Sequence, residues 1–178
     1  IMANGANSSF SRNIAGITVD PKHHATGIRA YFKGVSGMEA DNSYEFHFLK
    51  ELQPGYLLIA PLTNGLCNLT FGMRTDKLNK TKINLKNKLI ESINNDILLK
   101  ERFKNAELVG NIKGSVLPLG TQKRKISGSN YMLVGDAGGF IDPFSGNGIG
   151  HAMISGMIAA ERAEQCILTN NFSAEFLK

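Results

Sequence analysis

Gly135-Asp136-Ala137-Gly138-Gly139-Phe140-Ile141-Asp142-Pro143-Phe144-Ser145-Gly146-Asn147-Gly148-Ile149-Gly150 carries more structural information than any other stretch of this chain. Seven of the chain's 19 glycines fall between Gly135 and Gly156, which marks one segment built for close backbone approach. The short apolar run Tyr131-Met132-Leu133-Val134 before it predicts a buried strand. That strand ends at Asp136, so the carboxylate is expected at the C-terminal edge of a sheet, where open α/β sheets bind ligands. A long helix over 148–167 comes next. Its first amides have no intrahelical acceptor, and such amides bind anions or electron-rich oxygens. Gly146, Gly148 and Gly150 remove the Cβ atoms that would hold a ligand off the backbone. Pro143 fixes the loop ahead of them. Ala152, Gly156, Ala159 and Ala160 are small, so the helix can lie close to the sheet. The same glycines could simply shape a long turn. A strand, two aspartates, a proline and alternate glycines leading into a helix favour a ligand loop instead. No lysine follows the last glycine, so this is not a GxxxxGK[ST] phosphate loop, nor is it the first-strand GxGxxG fingerprint.

Upstream, the pattern is that of an antiparallel sheet. Residues 26–32 are apolar and β-branched, and 44–49 alternate as a half-buried strand does. Pro54-Gly55 turns the chain into a strand over 56–60, stopped by Pro61. Thr63-Asn64-Gly65 signals a hairpin, and a third strand over 66–71 is closed by Gly72. The period then changes. Leu85, Leu89, Ile93 and Ile97 are spaced by four, with polar residues between them, which predicts an amphipathic helix broken near Asn94-Asn95. Leu98, Leu99 and Phe103 are expected to carry the apolar face into a second short helix. A strand over 107–117 ends in Pro118-Leu119-Gly120, before the basic turn Lys123-Arg124-Lys125. At the other end, Asn4-Gly5-Ala6-Asn7-Ser8 is a turn that follows the end of a strand and leads into a short helix over 8–13. A last helix is expected over 171–178, with Ser173 as its N-cap.

Composition narrows the class. With 178 residues, 42% hydrophobic and 20% charged, the chain is long and apolar enough for a folded core. No run approaches the length of a membrane-spanning helix. Cys67 and Cys166 cannot make the disulfide framework of a small secreted domain and fit a reducing, cytoplasmic setting. The opening at Ile1 shows no basic n-region, so no secretory leader is expected. We expect the chain to be an internal piece of a longer protein, because the opening strand has no upstream partner in sequence. The net charge of +5 comes mostly from Lys and Arg between Arg74 and Arg124. That stretch has one aromatic, Phe103, so it reads as a solvated face and not as a nucleic-acid surface.

Three motifs resemble flavoproteins with the fold of para-hydroxybenzoate hydroxylase, and within them the geranylgeranyl-reductase-like branch. Ala3-Asn4-Gly5-Ala6-Asn7-Ser8 with Arg12 is similar to A-D-G-A-x-S…R. Gly135-Asp136-Ala137-Gly138-Gly139 through Pro143, with Gly146-Asn147-Gly148-Ile149, is similar to G-D-A-A-G-x-x-x-P…G-x-G-I. Ala152-Met153, Ser155-Gly156 and Ala159-Ala160-Glu161 are similar to A-M-x-S-G-x-x-A-A-E. The resemblance implies FAD as cofactor and a nicotinamide, NAD(P)H, as electron donor. It implies that Asp136 holds a ribityl hydroxyl and that Gly146 to Ile149 lie against the pyrimidine side of the flavin. Asn4, Gly5 and Arg12 would help position the cofactor, alongside Gly135 and Pro143. The fold implied is α/β (α+β in the part present here). Residues 1–20 and 126–178 belong to a Rossmann-like FAD-binding domain, and 21–125 form an antiparallel-sheet substrate domain with helices. The family's opening β-α-β unit with GxGxxG is absent from this sequence, and Asn4 stands where the family has Asp. The strand over 56–60 holds Tyr56 as its one aromatic, in place of an aromatic-rich run.

The substrate-pocket candidates are Arg29, His47, Tyr56 and Leu58. One alternate face of the strands is expected to line a cavity and the other to pack on the helices over 85–103. His151 is a candidate proton donor, although a solvent-facing or carbonyl-bonded ring explains it more simply. His23-His24 have no third ligand at close spacing, so no metal is expected. No residue stands out as catalytic. The activity implied is flavin-dependent reduction of carbon–carbon double bonds in an apolar or isoprenoid-like substrate, and the expected setting is cytoplasmic with room for peripheral membrane contact. Hydroxylation of an aromatic or apolar molecule by a FAD-dependent monooxygenase is the alternative. A third reading is a ligand-binding module without activity when isolated from the missing N-terminal part of its parent chain.

Overall fold

A computed structural model describes residues 1–38 and 43–178. In chain order the elements are α1 (Ser9–Asn13), β1 (His24–Lys33), β2 (Glu45–His47), β3 (Gly55–Pro61) and β4 (Leu66–Arg74). Three helices follow, α2 (Thr75–Thr81), α3 (Leu85–Asn95) and α4 (Ile97–Phe103), then β5 (Glu107–Pro118). The chain closes with β6 (Ser127–Gly128), β7 (Tyr131–Met132) and α5 (Ile149–Thr169). The chain divides into two compact units, one of residues 25–116 and one of residues 1–24 with 117–178.

The unit of residues 25–116 is a five-stranded sheet in the order β2-β3-β4-β1-β5, with helices on one face. Antiparallel register pairs Ile28 with Phe71 and Phe71 with Leu57, while the next row pairs Ala30 with Leu69 and Leu69 with Ile59. All six are buried. Because side chains alternate, these rows point to one face, where they meet Leu85, Leu89, Ile93, Leu99 and Phe103 of α3 and α4 in a single core. The strand expected over 66–71 does not stop at Gly72 but runs on to Arg74. Gly72 is there because a Cβ would lie 2.8 Å from Gly27 Cα and 2.8 Å from the Thr26 carbonyl oxygen. It permits close pairing with β1; it does not end the strand.

The spacing of four holds through α3, whose N-cap Asn84 accepts from the amides of Lys86 and Asn87. It fails at Ile97. Asp96 leaves helical geometry (ψ 128°) and then caps α4 by accepting from the amides of Leu98 and Leu99. The break resets the helix phase. Leu99 and Phe103 turn inward, while Ile97 and Leu98 stand exposed.

In the other unit, Met2 bridges Leu133 in parallel, with Met2 N donating to Met132 O at 2.8 Å and Val134 N donating to Met2 O at 3.1 Å. The run 131–134 is therefore only partly ladder strand: β7 pairs with β6, and Leu133 and Val134 continue as buried extended chain. Ser8 caps α1, its Oγ accepting from Ser11 N at 2.9 Å. Residues 171–178 form turns and not the expected helix, although Ser173 Oγ accepts from Phe176 N in the manner of a cap. The cap closes one turn, in which Leu177 N donates to Ser173 O at 3.1 Å. One turn is a costly nucleus without the propagation that would repay it. Of the small residues on α5, Ala159 is buried, whereas Ala160 is exposed.

Candidate functional site

The site is built in the second unit by the turn after the extended segment at Leu133 and Val134. Gly135 adopts φ +55° and opens this tight turn over Gly135–Ala137. The turn and the residues that follow it are pinned by three side chains. Gly135 N donates to Ser155 Oγ on α5 at 3.0 Å, Ser11 Oγ donates to Ala137 O at 2.8 Å, and Arg124 Nη1 donates to Leu119 O at 2.7 Å and to Gly139 O at 3.2 Å. A Cβ on Gly135 would lie 3.0 Å from Ala152 Cβ, so glycine here sets how closely α5 approaches the turn.

Asp136 is thereby held at the wall of a cleft of about 440 Å³, lined also by Gly5, Val134, Gly146, Gly148 and Ile149. The carboxylate is partly buried and accepts no hydrogen bond from the described residues. Burial pushes its pKa above the ordinary 3.8. Asp136 also lines a much smaller cavity on its other side, with Ser11, Arg12 and Arg124. Asp142 is used differently. Its Oδ1 accepts from the amides of Phe144 and Ser145 and from Ser145 Oγ, which shapes the turn at Pro143 and holds its pKa below the ordinary value. Asn147 Oδ1 accepts from Gly150 N at 3.1 Å, so one of the first helix amides is already satisfied.

Gly5, Gly135, Asp136, Gly146, Gly148 and Ile149 are thus brought to one cleft. Asn4 is exposed and does not line it, whereas its neighbours Ala3 and Gly5 do. Arg12 donates to Asn7 O and lines the smaller cavity instead. Pro143 and Asn147 are exposed loop residues that shape the approach to α5. His151 is exposed, its Nδ1 3.0 Å from Asn147 O, the carbonyl-bonded arrangement. His24 is buried against Asp20 O, and His23 meets Thr121 Oγ1, each on a different partner. Arg124 and Ser155 do positioning work that the sequence did not reveal. Arg124 bonds carbonyls that carry no sequence signature, while Ser155 lay inside a motif without an assigned role.

The four substrate-pocket candidates do not share a face. Register rows place Phe46, Leu58, Thr70 and Arg29 together on the face away from the helices, with Tyr56 on the same side. Tyr56 packs edge-on against Phe46 and Phe48, with centroids at 5.2 and 6.3 Å. Arg29 is exposed and lies over the Tyr31 ring. His47 is one residue out of phase, in the row of Leu57 and Phe71, and points to the helix-covered face beside Glu45. A one-residue step on a strand changes sides, which removes His47 from the group.

The residues present suit a large cofactor that offers hydroxyls and a planar edge. A partly buried carboxylate with no donor among the described residues is an open acceptor, and the bare backbone at Gly146 and Gly148 leaves room against the cleft. No protein-family model matches the chain. It is 30% identical over its whole length to digeranylgeranylglycerophospholipid reductase of Thermoplasma acidophilum, and covers 43% of that protein. The reductase of the same name from Methanosarcina acetivorans is 34% identical over 81% of the chain, which covers 34% of it. Among solved structures, a geranylgeranyl bacteriochlorophyll reductase-like protein from Thermoplasma acidophilum superposes with a TM-score of 0.84 at 26% identity, over 98% of this chain and 42% of that one. A flavin-dependent brominase superposes at 0.76 with 24% identity over 98% of the chain and 44% of its own, a likeness of fold. The chain spans about two fifths of the length of the full-length matches among its curated relatives.

Proposed function

We propose that this chain, which belongs to the geranylgeranyl-reductase-like branch of the flavoproteins, is the substrate-domain and second cofactor-motif portion of a FAD-dependent reductase. The observation that carries the proposal is Asp136, a partly buried carboxylate with no donor from the described residues, on the wall of a glycine-lined cleft. In this reading residues 1–20 and 126–178 serve the cofactor, and 21–125 serve the substrate. Asp136 accepts a ribityl hydroxyl, and Gly146, Gly148 and Ile149 present backbone to the ring, with Gly5, Gly135 and Arg12 in support. Asn4, Pro143 and Asn147 act through the loops they shape. FAD, reduced by NAD(P)H, supplies the hydride chemistry. The protein supplies orientation, an amide-rich edge for negative charge and a surface that excludes water.

The substrate proposed is an apolar, isoprenoid-like chain. What supports it is the aromatic and aliphatic outer face of the sheet at Phe46, Tyr56 and Leu58, together with the lipid named for the related reductases. Phe46 and Phe48 are exposed large apolar side chains, which an aqueous surface does not favour. The exposed apolar side of α5, at Ile149, Met153 and Met157, is proposed to be covered by polypeptide corresponding to the rest of the longer relatives. Among the described residues no helix is long and apolar enough to cross a membrane. The test is FAD content and turnover of the full-length protein with a nicotinamide donor, with and without oxygen. Loss of a double bond without oxygen supports the proposal. Oxygen-dependent gain of one oxygen atom replaces it with a monooxygenase, and absence of flavin leaves a ligand-binding module.

A further inference from the structure

Ile97 and Leu98 are 83% and 69% exposed, although their sequence spacing assigns them to the core. Asp96 places them there, because its carboxylate caps α4 through the amides of Leu98 and Leu99 and turns the first residues of that helix outward. Ile90, seven residues earlier on α3, is also exposed at 43%. The apolar corner where α3 gives way to α4 is flanked along the chain by lysines. Lys86 stands one turn before Ile90, Lys100 and Lys104 stand one and two turns after Ile97, and Lys82 ends α2. All four are exposed, and none pairs with a carboxylate among the described residues. The acidic residues nearby are largely committed. Glu91 pairs with Lys88, and Asp96 is the cap, which leaves Glu101.

We infer that this corner is a docking surface for a bilayer carrying anionic phospholipid headgroups, with Ile97 and Leu98 entering the headgroup–acyl boundary and the lysines facing the phosphates. Charge complementarity selects the occupant. A protein partner would suit the other large exposed apolar face, on α5, where the stretch from Ile149 to Ala160 contains no Lys, Arg, Asp or Glu. Exposed apolar side chains on helices whose nearby lysines pair with no carboxylate among the described residues suit an anionic interface. The inference deepens the lipid-substrate reading by giving the substrate domain a way to meet its substrate where such lipids reside. Binding to a bilayer is measurable whether or not that reading holds.

The experiment is co-sedimentation of the purified chain with phosphatidylglycerol vesicles and with phosphatidylcholine vesicles at low and high salt. Binding is expected to the first, weakened by salt, and little to the second. Ile97→Asp with Leu98→Asp should lower affinity for phosphatidylglycerol by about tenfold or more, and each of Lys100→Ala and Lys104→Ala by about fivefold. These positions are exposed, so thermal unfolding should be unchanged and serves as the fold control. Absence of binding to phosphatidylglycerol overturns the inference. So does binding that survives the double aspartate variant, or binding that is lost instead in Met153→Asp with Met157→Asp, which would move the contact to α5. If vesicles are not bound while the full-length protein retains FAD, this inference falls and the reductase reading stands. If vesicles are bound and the full-length protein holds no flavin, the docking surface stands and the reductase reading falls.

Discussion

A Cβ on Gly148 would lie 3.4 Å from Asp136 Oδ1 and 3.2 Å from Ile141 Cγ1. The last residue before α5 and the carboxylate after the extended segment therefore lie side by side on the wall of one cleft. Gly148 has φ −102°, so no left-handed backbone demands glycine there. The requirement is space. Gly148→Val should keep the fold, at a cost of about 1–3 kcal/mol for crowding Ile141, and should empty the cleft of flavin. Flavin absorbance per chain after gel filtration measures this, and a flavin-replete valine variant contradicts close contact.

Asp136→Ala in the full-length protein should weaken FAD retention by about 5- to 150-fold, the range expected for losing a buried, hydrogen-bonded acceptor worth about 1–3 kcal/mol. The pH dependence has a definite sign. Burial raises the folded-state pKa above 3.8, so ionisation disfavours the empty fold, and acidification through that raised pKa relieves the cost. A bound hydroxyl favours the ionised form, so FAD affinity should rise with pH through the same range and flatten above it. Titration of FAD at a series of pH values tests this. A flat profile in the wild type, or the same slope in Asp136→Ala, assigns the effect elsewhere.

Legibility in the sequence followed the range of the interactions involved. The tight glycine turn between Gly135 and Gly150 and the helix after it were legible because φ requirements, small residues and a following helix are local properties. The helix at Leu85, Leu89 and Ile93 was legible for the same reason. Gly72 was misread as a strand end because its reason lies across the sheet at Gly27 and Thr26. Leu98 was misplaced because one capping aspartate reset the helix phase, and His47 because a strand's side is decided by register with its neighbours. Arg124 carried no signal at all, since it binds carbonyls that every residue has.

Gly72 yields a stability prediction. A methyl group there would meet backbone of β1 at 2.8 Å, and neither Gly27 Cα nor the Thr26 carbonyl can rotate away. Gly72→Ala should therefore cost about 1–3 kcal/mol by forcing β4 from β1, although alanine ordinarily stabilises a strand relative to glycine. Urea unfolding of the two proteins measures the difference. A variant as stable as the parent would show that the pair spreads without cost.

Glu45 and Arg102 supply the last prediction. Arg102 Nη2 donates to Glu45 Oε1 at 2.8 Å and Nη1 to Oε2, a forked pair at the margin of the core, and Arg102 Nε donates to Ser36 O at 3.0 Å. Both side chains are less than a quarter exposed. Hydrogen bonding from Arg102 holds the Glu45 carboxyl below its ordinary 4.5, against an opposing effect of burial. A lowered folded-state pKa means that the stabilisation is fully present above the ordinary value and is lost as pH falls through the lowered one. Glu45→Gln should therefore cost about 1–2 kcal/mol at neutral pH, and the gap to the wild type should close as the solution is acidified below the carboxylate range. Denaturant unfolding of both proteins at neutral and acid pH reads this directly. Equal stability at neutral pH would mean that the fork contributes nothing net, and a gap that persists in acid would trace the loss to packing and not to charge.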